Sequence, residues 1–144
     1  MIIGLENKLL QYACESNKNI RKMSFLLALS GGVDSMVLAH MLIKLREKFN
    51  FFLTFVHINH NSTHMSTKMQ NAVSLFSKMN DVMLYSENIF IQPYQNFESD
   101  ARLKRYDIIK RIVNNDGIDY AFTAHHQNDQ LETIMMKLED GSDW

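Results

Sequence analysis

The stretch Phe25-Leu26-Leu27-Ala28-Leu29-Ser30-Gly31-Gly32-Val33-Asp34-Ser35, continuing into Met36-Val37-Leu38-Ala39-His40-Met41-Leu42, decides the fold. Its first five residues are uniformly apolar and of strand length. Two glycines follow, and helical spacing begins at Val33. A strand that breaks on glycines and opens a helix gathers backbone N–H groups and the positive end of a helix dipole at one point, which favours an anion. The glycines also let the backbone approach that anion closely. Ser30, Gly31, Gly32, Val33, Asp34 and Ser35 therefore have the physical outline of a phosphate-binding loop. It is not a Walker A loop, because no Gly-Lys-Ser/Thr closes it. A serine-capped helix after an ordinary glycine turn accounts for the same six residues, so the flanking strand and helix carry much of the weight.

Outward from this loop, strands and helices alternate. The spacing of Leu5, Leu9, Leu10, Tyr12 and Ala13 predicts a helix over 4–16. The helix after the loop is expected over 33–48, with Val33, Val37, Leu38, Met41, Leu42 and Leu45 on one face. Residues 51–56 form a second strand, too uniformly apolar to be half exposed, as suits a parallel sheet covered on both faces. A helix is expected over 64–79, a short strand at 82–85, a loop at 86–96, a helix at 97–114 and a strand at 120–123. A last helix begins within 129–138. The pattern is α/β: a doubly wound parallel sheet with helices on both faces, Rossmann-like, in one domain over 1–144. Ligands of such sheets bind beyond the carboxyl ends of the strands. The polar segments 30–35, 57–60 and 124–129 all fall there.

Composition narrows the classes. The 144 residues are 46% hydrophobic and 22% charged, an ordinary globular balance. The net charge of −1 argues against a large basic nucleic-acid surface. No apolar run approaches the roughly 18 residues of a membrane span. The first six residues lack the layout of a signal peptide, so a cytoplasmic location is expected. The single cysteine, Cys14, excludes an internal disulfide or a CxxC pair, and its apolar surroundings suggest a buried thiol.

Three further groups of residues carry chemistry. His57-Ile58-Asn59-His60, with His64, spaces three histidines by three and four, but no cysteine or nearby carboxylate completes a zinc site. A nucleoside-binding role and a polar loop at a strand end fit His57, Asn59 and His60 equally, since backbone groups there can read an adenine edge. In helix 97–114, Phe97, Ala101, Ile108, Ile109 and Ile112 define the core face, yet Arg105 falls within that arc and Glu98 and Arg102 near its edge. Charges so placed should be paired or should reach a ligand. A Glu98–Arg102 pair is one reading. A guanidinium aimed at phosphate or nucleic acid is the other. Finally, Asp129 and Glu132 have the spacing of a capping box. That spacing leaves the adjacent His125 and His126 unexplained.

Ser30-Gly31-Gly32-Val33-Asp34-Ser35 also resembles the pyrophosphate loop of the PP-loop ATP pyrophosphatase superfamily. Within it, Val56-His57-Ile58-Asn59-His60, Asn96-x-Glu98-x-x-Ala101-Arg102-x-x-Arg105-Tyr106 and His126-x-x-Asp129-Gln130-x-Glu132-Thr133 resemble the motifs of the tRNA(Ile)-lysidine synthetase family, in the family's order. The resemblance implies ATP and Mg²⁺ as cofactors, tRNA(Ile) and free lysine as substrates, and adenylation of the wobble cytidine before lysine attack. It implies that residues 30–35 hold pyrophosphate and that Asp34 orients Mg²⁺. Arg102, His126 and Asp129 become the catalytic residues; His57, Asn59, His60, Arg105 and Glu132 become candidate contacts to substrate or nucleoside. Departures are Asn128 beside Asp129, Ser62-Thr63 after His60, and acidic Glu139-Asp140 near the end. The chain reads as the nucleotide-binding part of such an enzyme, without tRNA-gripping domains. Another PP-loop adenylating enzyme, such as an amidating synthetase, and a non-catalytic nucleotide-binding remnant are the alternatives.

Overall fold

A computed structural model describes residues 2–59, 64–89, 97–127 and 130–137, with the backbone alone described at 64–65, 97–100, 124–127 and 130–137. The elements are α1 (Ile2–Glu15), a 3-10 turn (Ile20–Lys22), β1 (Ser24–Ala28), α2 (Val33–Phe49), β2 (Phe52–Asn59), α3 (His64–Met79), β3 (Met83–Asn88), α4 (Phe97–Asp116), β4 (Tyr120–Gln127) and β5 (Gln130–Lys137). They build one sheet in the order β3-β2-β1-β4-β5. β1 pairs in parallel with β2 and β4, and β2 in parallel with β3. β1, the most apolar strand, is thus the centre of the sheet.

Side-chain alternation along the strands sorts the core into two layers. Phe25, Leu27, Leu53, Phe55, Tyr120 and Phe122 pack with α1, α2 and α3 on one face. Leu26, Val56 and Ala121 pack with Ile109, Ile112 and Val113 of α4 on the other. Both faces are covered, which is why β1 tolerates the unbroken apolar run Phe25–Ala28. Each fully buried Phe or Leu contributes about 1.5–3 kcal/mol of transfer free energy. Phe25 meets Phe51 edge-on, with ring centroids 5.0 Å apart.

Three details differ from the sequence expectation. The segment expected as a helix from 129 onward contains β5, which pairs antiparallel with β4 from Tyr120↔Lys137 to Gln127↔Gln130. β-branched Thr133 and Ile134 suit a strand, and pairing along β4 outweighs the helical pattern. It also covers a β4 edge that would otherwise stand open. Val33 and Val37 are 79% and 38% exposed, because α2 buries Leu38, Ala39, Leu42, Ile43 and Leu45 instead. Cys14 is exposed, not buried. The buried stripe of α1 is Leu5, Leu9 and Ala13, and Cys14 lies one residue, about 100° of turn, beyond it.

A candidate nucleotide site over the end of β1

β1 is shorter than both of its neighbours, and this shapes the site. Ala28 is its last residue, level with Val56 of β2 and Thr123 of β4. β2 continues to Asn59 and β4 to Gln127. The chain leaves the sheet at Leu29 and turns through Ser30–Gly32 into α2. A notch therefore opens above β1, at the point where the strand order reverses.

Hydroxyls organise the loop. Ser35, 2% exposed, has one hydroxyl hydrogen, and its contact at 3.0 Å with the Gly32 carbonyl uses it, because a carbonyl only accepts. The Ser30 hydroxyl, 2.9 Å away, must then donate to Ser35. The Gly31 N–H donates to Ser35 Oγ and the Gly32 N–H to Ser30 Oγ, each at 3.2 Å. Both glycine amides thus converge on two serine oxygens. A phosphate oxygen is a stronger acceptor for the same amides, since its bonds are charge-assisted. Asp34 stands in the first turn of α2.

The two glycines differ. Gly31 has φ +92°, and a Cβ there would lie 3.2 Å from Met69 Cε and 3.4 Å from Val73 Cγ2. The fold itself requires it. Gly32 has φ −74° and ψ 166°, open to any residue. A Cβ there would meet only Ser30 Oγ, at 3.5 Å. Gly32 is the N-cap of α2, a position that suits glycine, and the space beside it is open.

Next to the loop lies a cavity of about 290 Å³. Its floor is the ends of β1, β2 and β4, through Ala28, Val56, Ile58 and Thr123. Ser66 and Met69 of α3 form one wall, and Arg105, Tyr106 and Ile109 of α4 the other. The volume and the apolar walls suit a planar organic ring. Arg105 is the one Lys, Arg, Asp or Glu side chain that lines it among the described residues.

Residues 5–144 match the family model described as a PP-loop domain. The chain belongs to the PP-loop domain family. Over 120 residues it is 40% identical to the tRNA(Ile)-lysidine synthase of Buchnera aphidicola subsp. Acyrthosiphon pisum, and over 131 residues 38% identical to that of Wigglesworthia glossinidia brevipalpis. These matches take in 83% and 84% of this chain but 27% and 32% of those proteins. A solved structure of the U34-tRNA thiolase of Methanococcus maripaludis superposes with a TM-score of 0.63 at 18% identity, over 89% of this chain and 46% of that one. That likeness bears on the fold: a PP-loop α/β domain.

The candidate residues of this PP-loop domain are placed as follows. His57 and Asn59 lie within β2, not in a loop after it, and are buried to 4% and 3% exposure. Polar character marked them as a loop, but each has partners. His57 Nδ1 lies 2.7 Å from the Leu29 carbonyl. Asn59 Nδ2 donates to Gln70 Oε1 at 2.7 Å, and Gln70 Nε2 passes the chain on to Ser86. Arg102 is exposed on α4, its guanidinium 5.2 Å from the Tyr106 ring centroid. It stands beside the cavity wall without lining the cavity. His60 and Asp129 lie outside the described residues. So do the side chains of Glu98, His126 and Glu132, although the backbones of His126 and Glu132 lie in β4 and β5.

Sequence reasoning missed Ser66, Met69, Tyr106 and Thr123 as cavity residues. Met69 was readable only as part of the apolar stripe of α3, and it does also press against Gly31. Among the described residues no group of three or more His, Cys, Asp or Glu is placed to hold a metal ion. No helix among them is long and apolar enough to cross a membrane.

Proposed function

We infer that this PP-loop domain binds ATP in the notch over β1 and adenylates the wobble cytidine of an isoleucine tRNA, to which lysine is then joined. The observation that carries the reading is the adjacency of the anion loop to a ring-sized cavity, in a chain 40% identical over 120 residues to a tRNA(Ile)-lysidine synthase. The loop amides of residues 30–35 hold the β,γ-pyrophosphate.

The purine lies against the end of β2. Ile58 lines the cavity, and its N–H and C=O point toward the β1 side, where β1 has ended. That donor–acceptor pair matches the N1 and 6-amino groups of adenine. Arg105 lies within reach of the same chamber.

A divalent cation fits this site through one carboxylate and phosphate oxygens, the usual way Mg²⁺ is held at triphosphates. Asp34 is the described carboxylate at the loop, and bound Mg²⁺ would offset the charge of the pyrophosphate leaving group. Arg102, His126 and Asp129 position the α-phosphate and the cytidine carbonyl. The C2 oxygen of cytidine attacks the α-phosphorus and pyrophosphate departs. The lysine amine then attacks C2, and AMP leaves with that oxygen. Alignment of the reactants and stabilisation of phosphate charge supply most of the rate.

The test is AMP release from ATP by the 144-residue chain with an unmodified isoleucine tRNA, comparing lysine with ammonia. Release stimulated by lysine is expected, and release stimulated by ammonia alone would favour an amidating synthetase. Asp129→Asn should lower release roughly a hundredfold or more if Asp129 positions reactants. ATP binding with no AMP formation under any condition would identify a non-catalytic nucleotide-binding domain.

A further inference from the structure

Leu29 marks the place where the β1–β2 ladder stops. Its N–H still donates to the Val56 carbonyl at 2.8 Å, as the register requires. In a parallel ladder the next two bonds would run from the Ile58 N–H to the Leu29 carbonyl and from the Gly31 N–H to the Ile58 carbonyl. Neither forms. The Leu29 carbonyl is held by His57 Nδ1 at 2.7 Å, and the Gly31 N–H by Ser35 Oγ at 3.2 Å. Among the described residues the Ile58 backbone therefore has no ladder partner on the β1 side.

The tautomer of His57 follows from its partner. A carbonyl oxygen only accepts, so Nδ1 carries the hydrogen. The ring is 4% exposed and is fixed in the sheet by the pairing of its own residue with Ser86. His57 thus substitutes a side-chain donor for the main-chain donor one residue further along.

We propose that His57 is a positioning residue for base selection: by occupying the Leu29 carbonyl it keeps the Ile58 N–H and C=O out of the sheet and presented to a purine edge. The inference rests on the nucleotide reading of the cavity. Without a donor at position 57, the Leu29 carbonyl is left for the Ile58 N–H, the ladder closes by one bond, and the edge that distinguishes adenine is lost. Hypoxanthine carries the opposite pattern, an N1–H donor and an O6 acceptor, so inosine triphosphate reports on this edge. Inorganic pyrophosphate reports on the loop alone.

The experiment measures the affinities of ATP, inosine triphosphate and pyrophosphate for the parent chain, His57→Asn and His57→Leu. The parent should prefer ATP over inosine triphosphate by about tenfold or more. His57→Asn, which keeps an amide N–H close to the Nδ1 position, should preserve that preference. His57→Leu should reduce it to within about twofold while pyrophosphate affinity moves by less than about threefold. A uniform loss for all three ligands would mark His57 as merely structural and overturn the proposal, as would an unchanged preference in His57→Leu. Should His57→Leu not fold, amide exchange in the parent decides. The Ile58 N–H should exchange faster than the Leu29 N–H and be protected by ATP but not by pyrophosphate. An Ile58 N–H already as protected as that of Leu29 would contradict the proposal. Binding of neither ATP nor pyrophosphate by the parent would overturn the nucleotide reading as well, whereas ATP binding without base preference overturns the proposal alone.

Discussion

Gly31 and Gly32 are neighbours with different reasons to be glycine. At Gly31 a side chain would be strained twice, by the positive φ and by Met69 and Val73 behind the loop. Gly31→Ala should therefore lower stability by about 1–3 kcal/mol, read as a fall in the midpoint of urea unfolding. At Gly32 the backbone is extended and the space is open, so Gly32→Ala should change stability by less than about 1 kcal/mol. Equal losses in the two variants would mean that the loop is held differently from the hydroxyl arrangement of Ser30 and Ser35. The Ser30–Ser35 loop was legible in the sequence because glycine and serine carry their conformational and capping preferences locally. The burial of His57 was not. Its polarity spoke for a loop, and only the tertiary partner, the Leu29 carbonyl, makes it a strand residue.

At the level of elements, α3 was readable to the residue and α4 nearly so, because long helices repeat their signal over several turns. The apolar arc of α4 was also correctly read around Ala101, Ile109 and Ile112, with Lys104, Asp107, Lys110 and Arg111 outside it. That arc divides the effects of substitution. Ile112→Ala, at 4% exposure between α4 and the sheet, should destabilise by about 2–5 kcal/mol. Leu103→Ala, at 61% exposure on the same helix, should stay within about 0.5 kcal/mol. Chemical denaturation of the two variants checks this, and a large loss at Leu103 would show that α4 packs through its other face. β5 was missed for the opposite reason. A strand that pairs with one neighbour takes its identity from that neighbour, and the carboxylate spacing of Asp129 and Glu132 suggests a helix when read alone.

The whole chain carries a formal charge of −1. Phosphate contacts dominate nucleic-acid affinity, so this chain has little surplus positive charge with which to grip a tRNA backbone. The 144-residue chain should bind an isoleucine tRNA weakly, with retention in a filter or fluorescence assay falling steeply between roughly 50 and 200 mM salt. Its lysine-stimulated AMP release should fall over the same range of salt. Tight, salt-resistant binding would mean that Arg102, Arg105 and their neighbours form a denser phosphate-binding surface than the net charge suggests.

The nucleotide reading depends on an anion reaching the backbone of residues 30–32. Gly32→Val tests that step most directly, because the fold leaves room for the side chain and a phosphate does not. Calorimetric titration with ATP should show binding to the parent chain and a loss of roughly tenfold or more in affinity for Gly32→Val, with the unfolding midpoint nearly unchanged. ATP affinity equal to the parent's in a folded Gly32→Val chain would contradict the assignment of the loop.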